Sequence, residues 1–153
     1  MNIFFLDPDP DLCAQAHVTK HVSKMLVESC QLMNSAYSSG PYKATHSQHP
    51  CACWTRASKA NFEFVLNHAK ALLKEYKYRY ENRYHKCEEA IKFFEGNPPK
   101  IIEKEFTNPP RCFGEFSSVV PVTSCIYEDY RNYYKMAKSK LFHWKGRESP
   151  NWL

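Results

Sequence analysis

The sequence predicts an all-α protein, a compact single-domain bundle of about four helices with a short N-terminal extended arm and one long proline-containing loop. Three observations predict it. Residues 9–36 and 54–84 carry apolar side chains at the three-four spacing of a helix with one buried face. The strong breakers, Gly40-Pro41 and Gly96-Asn97-Pro98-Pro99, fall between the periodic stretches and not inside them. A chain of 153 residues with 43% apolar content is long enough to bury roughly two-thirds of its unfolded surface around one core.

Taken in order, residues 1–6 (Met-Asn-Ile-Phe-Phe-Leu) suit a short strand or a buried extended arm, and Asp7-Pro8-Asp9-Pro10 stops it. Asp9 is placed to cap the first helix, with Pro10 at the first helical position, where its missing N–H costs nothing. That helix is expected to run to Ala36, before Ser38-Ser39-Gly40-Pro41. Val18, Val22, Met25, Leu26, Ser29 and Met33 fall on one arc and form its core face. Beside them His17, His21, Lys24 and Glu28 make a narrow stripe of ionisable groups, flanked by Lys20 and Gln31. Such a stripe is either a solvated helix face or a place that holds an anion and moves a proton.

Residues 42–50 read as a loop. His46, His49, Cys51 and Cys53 tempt a metal reading, but the spacing is tighter than that of zinc sites, so no metal or cofactor is expected. Pro50 instead suits the first turn of the next helix, with His49 at its N-terminus, where free N–H groups favour an anion. Residues 54–84 are the clearest helix, with Phe62, Val65, Leu66, Ala69, Leu72, Leu73 and Tyr76 on one side. Arg56 and Asn61 lie close to the histidine loop and join the candidate site. A third helix is expected over 85–95. Residues 100–122 show neither period and read as a packed loop, long enough to act as a functional lid. A last helix, capped by Thr123 or Ser124, should run to about Trp144 with Ile126, Tyr130, Tyr133 or Tyr134, Ala137 and Leu141 inward.

The net charge of +5 and the interleaving of basic and aromatic residues in Lys74-Glu75-Tyr76-Lys77-Tyr78-Arg79-Tyr80, Arg83-Tyr84-His85-Lys86 and Tyr130-Arg131-Asn132-Tyr133-Tyr134-Lys135 suit a surface that neutralises phosphates and stacks on bases. Seven cysteines, an odd number with no secretory leader, point to reduced thiols and a cytoplasmic setting. No uncharged apolar stretch approaches the length of a membrane span.

Several segments together resemble a family of small phage-type proteins. They are Met1-Asn2-Ile3-Phe4 with Leu6-Asp7, Lys20-His21-Val22 and Lys24-Met25 with Glu28, Thr45-His46 with His49-Pro50-Cys51 and Trp54, Arg56 with Ser58 and Asn61, Glu75-Tyr76 with Arg79-Tyr80 and His85-Lys86, and Tyr130 to Tyr134. That family is in turn distantly similar to the pyrimidine-dimer DNA glycosylases of the endonuclease V type. This resemblance implies a small basic helical protein in which the N-terminal amine attacks the sugar carbon and a glutamate on the first helix assists. Asn2 is bulky enough that Met1 should be retained, and the family's glutamate aligns near His21 or Lys24, one turn before Glu28.

Two readings follow. In the first, the protein is a glycosylase and lyase acting on a damaged or modified pyrimidine in DNA, expected to be duplex. Lys20, Lys24 or the Met1 amine is the nucleophile and Glu28 the acid/base. His21, His46, His49, Arg56, Asn61, Arg79, His85, Lys86 and Arg131 then bind the substrate. In the second, it is a non-catalytic nucleic-acid- or protein-binding module on the same fold, or an enzyme of free nucleotides. Convergence of the first helix and the His-Pro loop on one concave pocket separates the readings.

Overall fold

The computed structural model describes residues 1–153 and contains α-helices, two short 3-10 turns and no strand. There are six helices: α1 (Pro10–Ala16), α2 (Thr19–Asn34), α3 (Pro50–Thr55), α4 (Lys59–Arg79), α5 (Cys87–Gly96) and α6 (Ile126–Lys138). The count exceeds the expected four because both long periodic stretches are broken once. No helix is long and apolar enough to cross a membrane.

The first break falls at His17 and Val18, whose backbones are extended. Its cause is tertiary. The Arg79 guanidinium, at the end of α4, donates to the carbonyls of Gln15 (2.9 Å) and His17 (2.8 Å), and the Val18 N–H donates to the Tyr134 hydroxyl at 3.1 Å. Groups that would have continued the helix ladder are satisfied from outside it. The apolar register survives the break: Val18, Val22, Met25, Leu26, Ser29 and Met33 are all buried.

The second break, Arg56–Ser58, has a local cause. Ser58 caps α4 by accepting the Asn61 N–H at 3.1 Å, so the helix expected over 54–84 starts afresh at Lys59. Upstream, Pro50 does open α3, and the His49 ring caps it by accepting the Cys51 N–H at 3.2 Å. Helix α4 packs along α2 and α1, and α5 covers the junction of α2 and α4. Gly40 is required after α2 because a Cβ there would collide with the Asn34 side chain, which holds the Tyr42 backbone through both its amide atoms.

Residues 97–125 form the expected loop, with one 3-10 turn at Gly114–Phe116 and with Pro109, Phe113 and Val120 buried. The last helix starts later and ends earlier than anticipated. Neither Thr123 nor Ser124 caps it; Asp129 instead reaches back and accepts the Thr123 N–H at 2.7 Å while paired with Arg111. Ile126, Tyr130, Tyr133 and Tyr134 face inward, both adjacent tyrosines being buried, whereas Ala137 and Leu141 are only half-buried.

The N-terminal arm, Asn2 to Leu6, is buried along its length without a strand partner. Phe4 adopts φ +49, a conformation costly to a bulky residue, of order 1–3 kcal/mol. Its ring stacks on His21 at 4.8 Å, and the Asn2 side-chain oxygen accepts both the Ile3 and Phe4 N–H groups. This kink turns the first two residues towards α2.

Candidate active site

The kink delivers the N-terminal residues to Glu28. Glu28 Oε2 accepts the Asn2 backbone N–H at 2.9 Å, and Asn2 Nδ2 donates to the Cys112 carbonyl at 2.7 Å. Around this clamp lies a cleft of about 290 Å³ lined by residues of the arm, α2, the His-Pro loop, the long loop and α6. Met1, Lys24, Glu28 and His49, four of the residues predicted from sequence, share it with Asn2, Phe4, Cys112, Tyr133 and Lys138. The first helix and the His-Pro loop therefore do converge on one concavity.

Its electrostatics are mixed. Glu28 is mostly covered, 14% of its side chain exposed, whereas Lys24 is 66% exposed and 3.8 Å away, a loose ion pair of little energetic weight. Lys24 thus lacks the desolvation that activates a lysine nucleophile. The His49 ring is pushed below its ordinary value by partial burial, then by the Met1 ammonium and His46, with Glu28 opposing. Cys112 is pulled down chiefly by its hydrogen bond from Cys51, whose sulfur lies 3.5 Å away and whose own thiol is pushed up. Lys138 sits over the rings of Phe4 and Tyr133 at 5.8 and 5.4 Å, which holds its ammonium at the mouth of the cleft.

Beyond the cleft a cationic strip continues. Lys138 and Lys140 line the adjoining groove, and Lys140 with Lys20 lines the next. Lys20 lies on this strip and not in the cleft.

The other predicted residues are elsewhere or otherwise engaged. His21 is buried beneath Phe4, with Nδ1 2.7 Å from the Tyr134 hydroxyl, so it supports the arm and meets no solute. Arg79 is fully buried, its Nε donating to Glu75 at 2.7 Å; burial and three internal partners exclude it from phosphate binding. Asn61 is also buried, joining the Trp54 carbonyl at 3.0 Å to Thr107 of the long loop. Arg56 donates to the Ser47 carbonyl and the Cys53 sulfur, bracing the His-Pro loop. His46 is exposed on that loop at φ +49 and lies outside the cleft lining. His85 lies against Ser23 at 3.0 Å and accepts the Cys87 N–H, a capping role at α5, beside the exposed Lys86.

Arg131 lines a different and larger cavity of about 610 Å³ together with Arg147 and Trp152. Size does not make it the better candidate. Arg131 is spent on Asp7 (2.9 Å) and the Leu6 carbonyl, and Arg147 on Glu75 (2.9 Å), which leaves no unpaired guanidinium there for an anion. Asn2, Cys112, Tyr133 and Lys138 were missed from sequence. Only the basic-aromatic run around Tyr133 hinted at any of them.

Comparison with family models, with curated proteins and with solved structures finds no match.

Proposed function

We propose that this cleft is the active site of a DNA glycosylase with lyase activity, acting on a damaged or modified pyrimidine. The observation that carries the reading is the meeting of the N-terminal residues with the covered carboxylate of Glu28, inside a cleft flanked by Lys138, Lys140 and Lys20. A Schiff-base route needs an amine beside a positioned acid/base and cations for the flanking phosphates.

Of the amines named from sequence, Met1 fits best. An α-amino group ordinarily titrates near 7.7–8.0 and needs less tuning than a lysine. In the proposed reaction the Met1 nitrogen bonds to the sugar C1′ as the glycosidic bond breaks and the base leaves with the bonding pair. Glu28 takes the proton that the amine gives up and returns it to the base. The C1′–O4′ bond then breaks, O4′ taking a proton from solvent, which leaves the iminium that borohydride reduces. His49 and Lys138 hold the strand, and the extrahelical base enters between Tyr133 and the long loop.

The test is borohydride trapping of untagged protein on duplexes carrying a pyrimidine dimer or an abasic site. A covalent adduct is expected. Glu28→Gln should lower its yield by roughly 10²- to 10⁴-fold with little change in binding, and two residues added before Met1 should abolish it. Lys24→Ala should retain it. Full trapping by Glu28→Gln, or no adduct with any substrate, would leave the cleft as part of a binding module.

A further inference from the structure

A second cluster lies below the arm, away from the cleft. Cys13 of α1, His17 at the α1–α2 break and His68 of α4 are wholly buried, and their ligand-type atoms all lie within 4.8 Å of one another. Three buried side-chain polar atoms in the protein have no hydrogen-bond partner, and all three are here: His17 Nε2, His68 Nδ1 and His68 Nε2. A buried polar group left unpaired costs about 1–3 kcal/mol, so three on two touching rings require a physical account.

The tautomer supplies it. His17 Nδ1 is 2.7 Å from the Cys13 carbonyl, which can only accept, so Nδ1 carries the proton and Nε2 presents its lone pair to the cluster. This is the arrangement by which a backbone carbonyl orients a metal-bound imidazole. Burial pushes the Cys13 thiol up to about 12, and the Leu6 N–H donated to its sulfur at 3.4 Å opposes this only in part, so a metal has to displace the proton. One His68 nitrogen lies towards the Ile3 backbone, too poorly aligned for a good hydrogen bond, and the other is free to bind, its ring 5.4 Å from that of His17. Both rings are wholly buried, and a metal takes the neutral imidazole.

We propose that Cys13, His17 and His68, with a water in the fourth tetrahedral position, bind a zinc ion that holds the N-terminal arm in place. Zinc bonds of about 2.3 Å to sulfur and about 2.0–2.1 Å to nitrogen require donors roughly 3.3–3.7 Å apart, within reach of small side-chain rotations from the observed separations. One bond breaks on binding, Cys13 S–H, whose proton passes to solvent; the imidazoles enter neutral and no electron moves. The resulting positive charge lies beside the Glu75–Arg79 pair, whose guanidinium weighs more at His17 than its carboxylate, so the thiolate carries the compensation. The thiol lies against the arm, 3.5 Å from the Phe4 carbonyl, so the metal fixes the backbone that carries Asn2 to Glu28.

The proposal is tested on metal content and not on turnover, so it stands or falls apart from the glycosylase reading. Full-length protein is folded in the presence of Zn²⁺, desalted and analysed for metal. About one zinc per chain is expected, together with a thiolate-to-metal charge-transfer band when Co²⁺ replaces it. Cys13→Ser and His68→Leu should lose both signals, the latter filling the site with an apolar side chain so that it folds without the ion. His49→Ala and Cys112→Ser, from the other Cys/His grouping at the cleft, should keep them. A folded wild-type protein without zinc, zinc retained by His68→Leu, or zinc lost in His49→Ala would each overturn the proposal.

Discussion

Replacing Arg79 by Met offers a sharp test of how the bundle is joined. The side chain is fully buried and makes three hydrogen bonds: to Glu75 at 2.7 Å, to the His17 carbonyl at 2.8 Å and to the Gln15 carbonyl at 2.9 Å. Methionine keeps the length and removes every donor. Two carbonyls at the α1–α2 joint then lose charged partners, each costing about 1–3 kcal/mol. Glu75 does not become a lone buried charge, because Arg147 still donates to both its oxygens at 3.0 and 2.9 Å. The expected loss is about 3–5 kcal/mol, a large part of the 5–15 kcal/mol typical of a domain. Arg147→Met, by contrast, removes a partly exposed partner and leaves Arg79 in place, for a loss of about 1 kcal/mol. Urea unfolding followed by circular dichroism measures both. Equal losses, or less than about 1 kcal/mol for Arg79→Met, would mean that the guanidinium does not hold the joint.

Two further outcomes are expected. Lys138→Ala should weaken duplex binding and lower the slope of log affinity against log salt by about one, while Lys74→Ala, whose ammonium faces Asp11 at 3.2 Å on another surface, should leave it unchanged; equal slopes for both variants would remove the cationic strip from the argument. In the metal-free protein acid should destabilise the fold early, because burial pushes His17, His21 and His68 down to about 4, about 3 and about 3. Their stabilisation is complete above the unfolded value near 6.5 and is lost as pH falls towards the folded ones, each group contributing up to about 1.4 kcal/mol per pH unit; a urea midpoint that stays flat from about pH 7 to 5 would contradict this. Glu75 responds lower still. Burial alone raises its carboxyl, but the hydrogen bonds from Arg147 and Arg79 outweigh it, so this contribution disappears only below the ordinary carboxylate range.

What could be read from the sequence was what depends on neighbours along the chain. The α2 arc, the α4 periodicity, Asp9 with Pro10 and Pro50 at its helix start are local signals, and each is found in place. The break at His17 was not legible, since the group that produces it is 62 residues away. For the same reason Arg79 read as a phosphate ligand: its pattern is that of a basic helix face, and only the packing of α4 on α1 turns it inward. His17 and His21 looked like a solvent-facing stripe because the arm that covers them is separate in sequence. The cleft was half legible. Glu28, Lys24 and His49 stand in segments with strong local character, whereas Asn2, Cys112 and Lys138 gain meaning only when three distant segments meet.

Those meetings also set the order in which the molecule can be completed. The bonds that fix the first twenty residues reach across most of the chain, from Asn2 to Cys112, Leu6 to Arg131, Ala16 to Trp144 and Thr19 to His143, with separations of 110, 125, 128 and 124 residues. During synthesis α2, α4 and α5 can pack as soon as they emerge, for their contacts are mutual. The arm has to wait. Until α6 arrives, Phe4 lacks the cover of Tyr133 and Tyr134, and the Leu6 carbonyl lacks its bond from Arg131, so the arm is fixed after the helices it lies on. A nascent chain halted before α6 would therefore hold most of its bundle, with a cleft still open on the side that Tyr133 and Lys138 close.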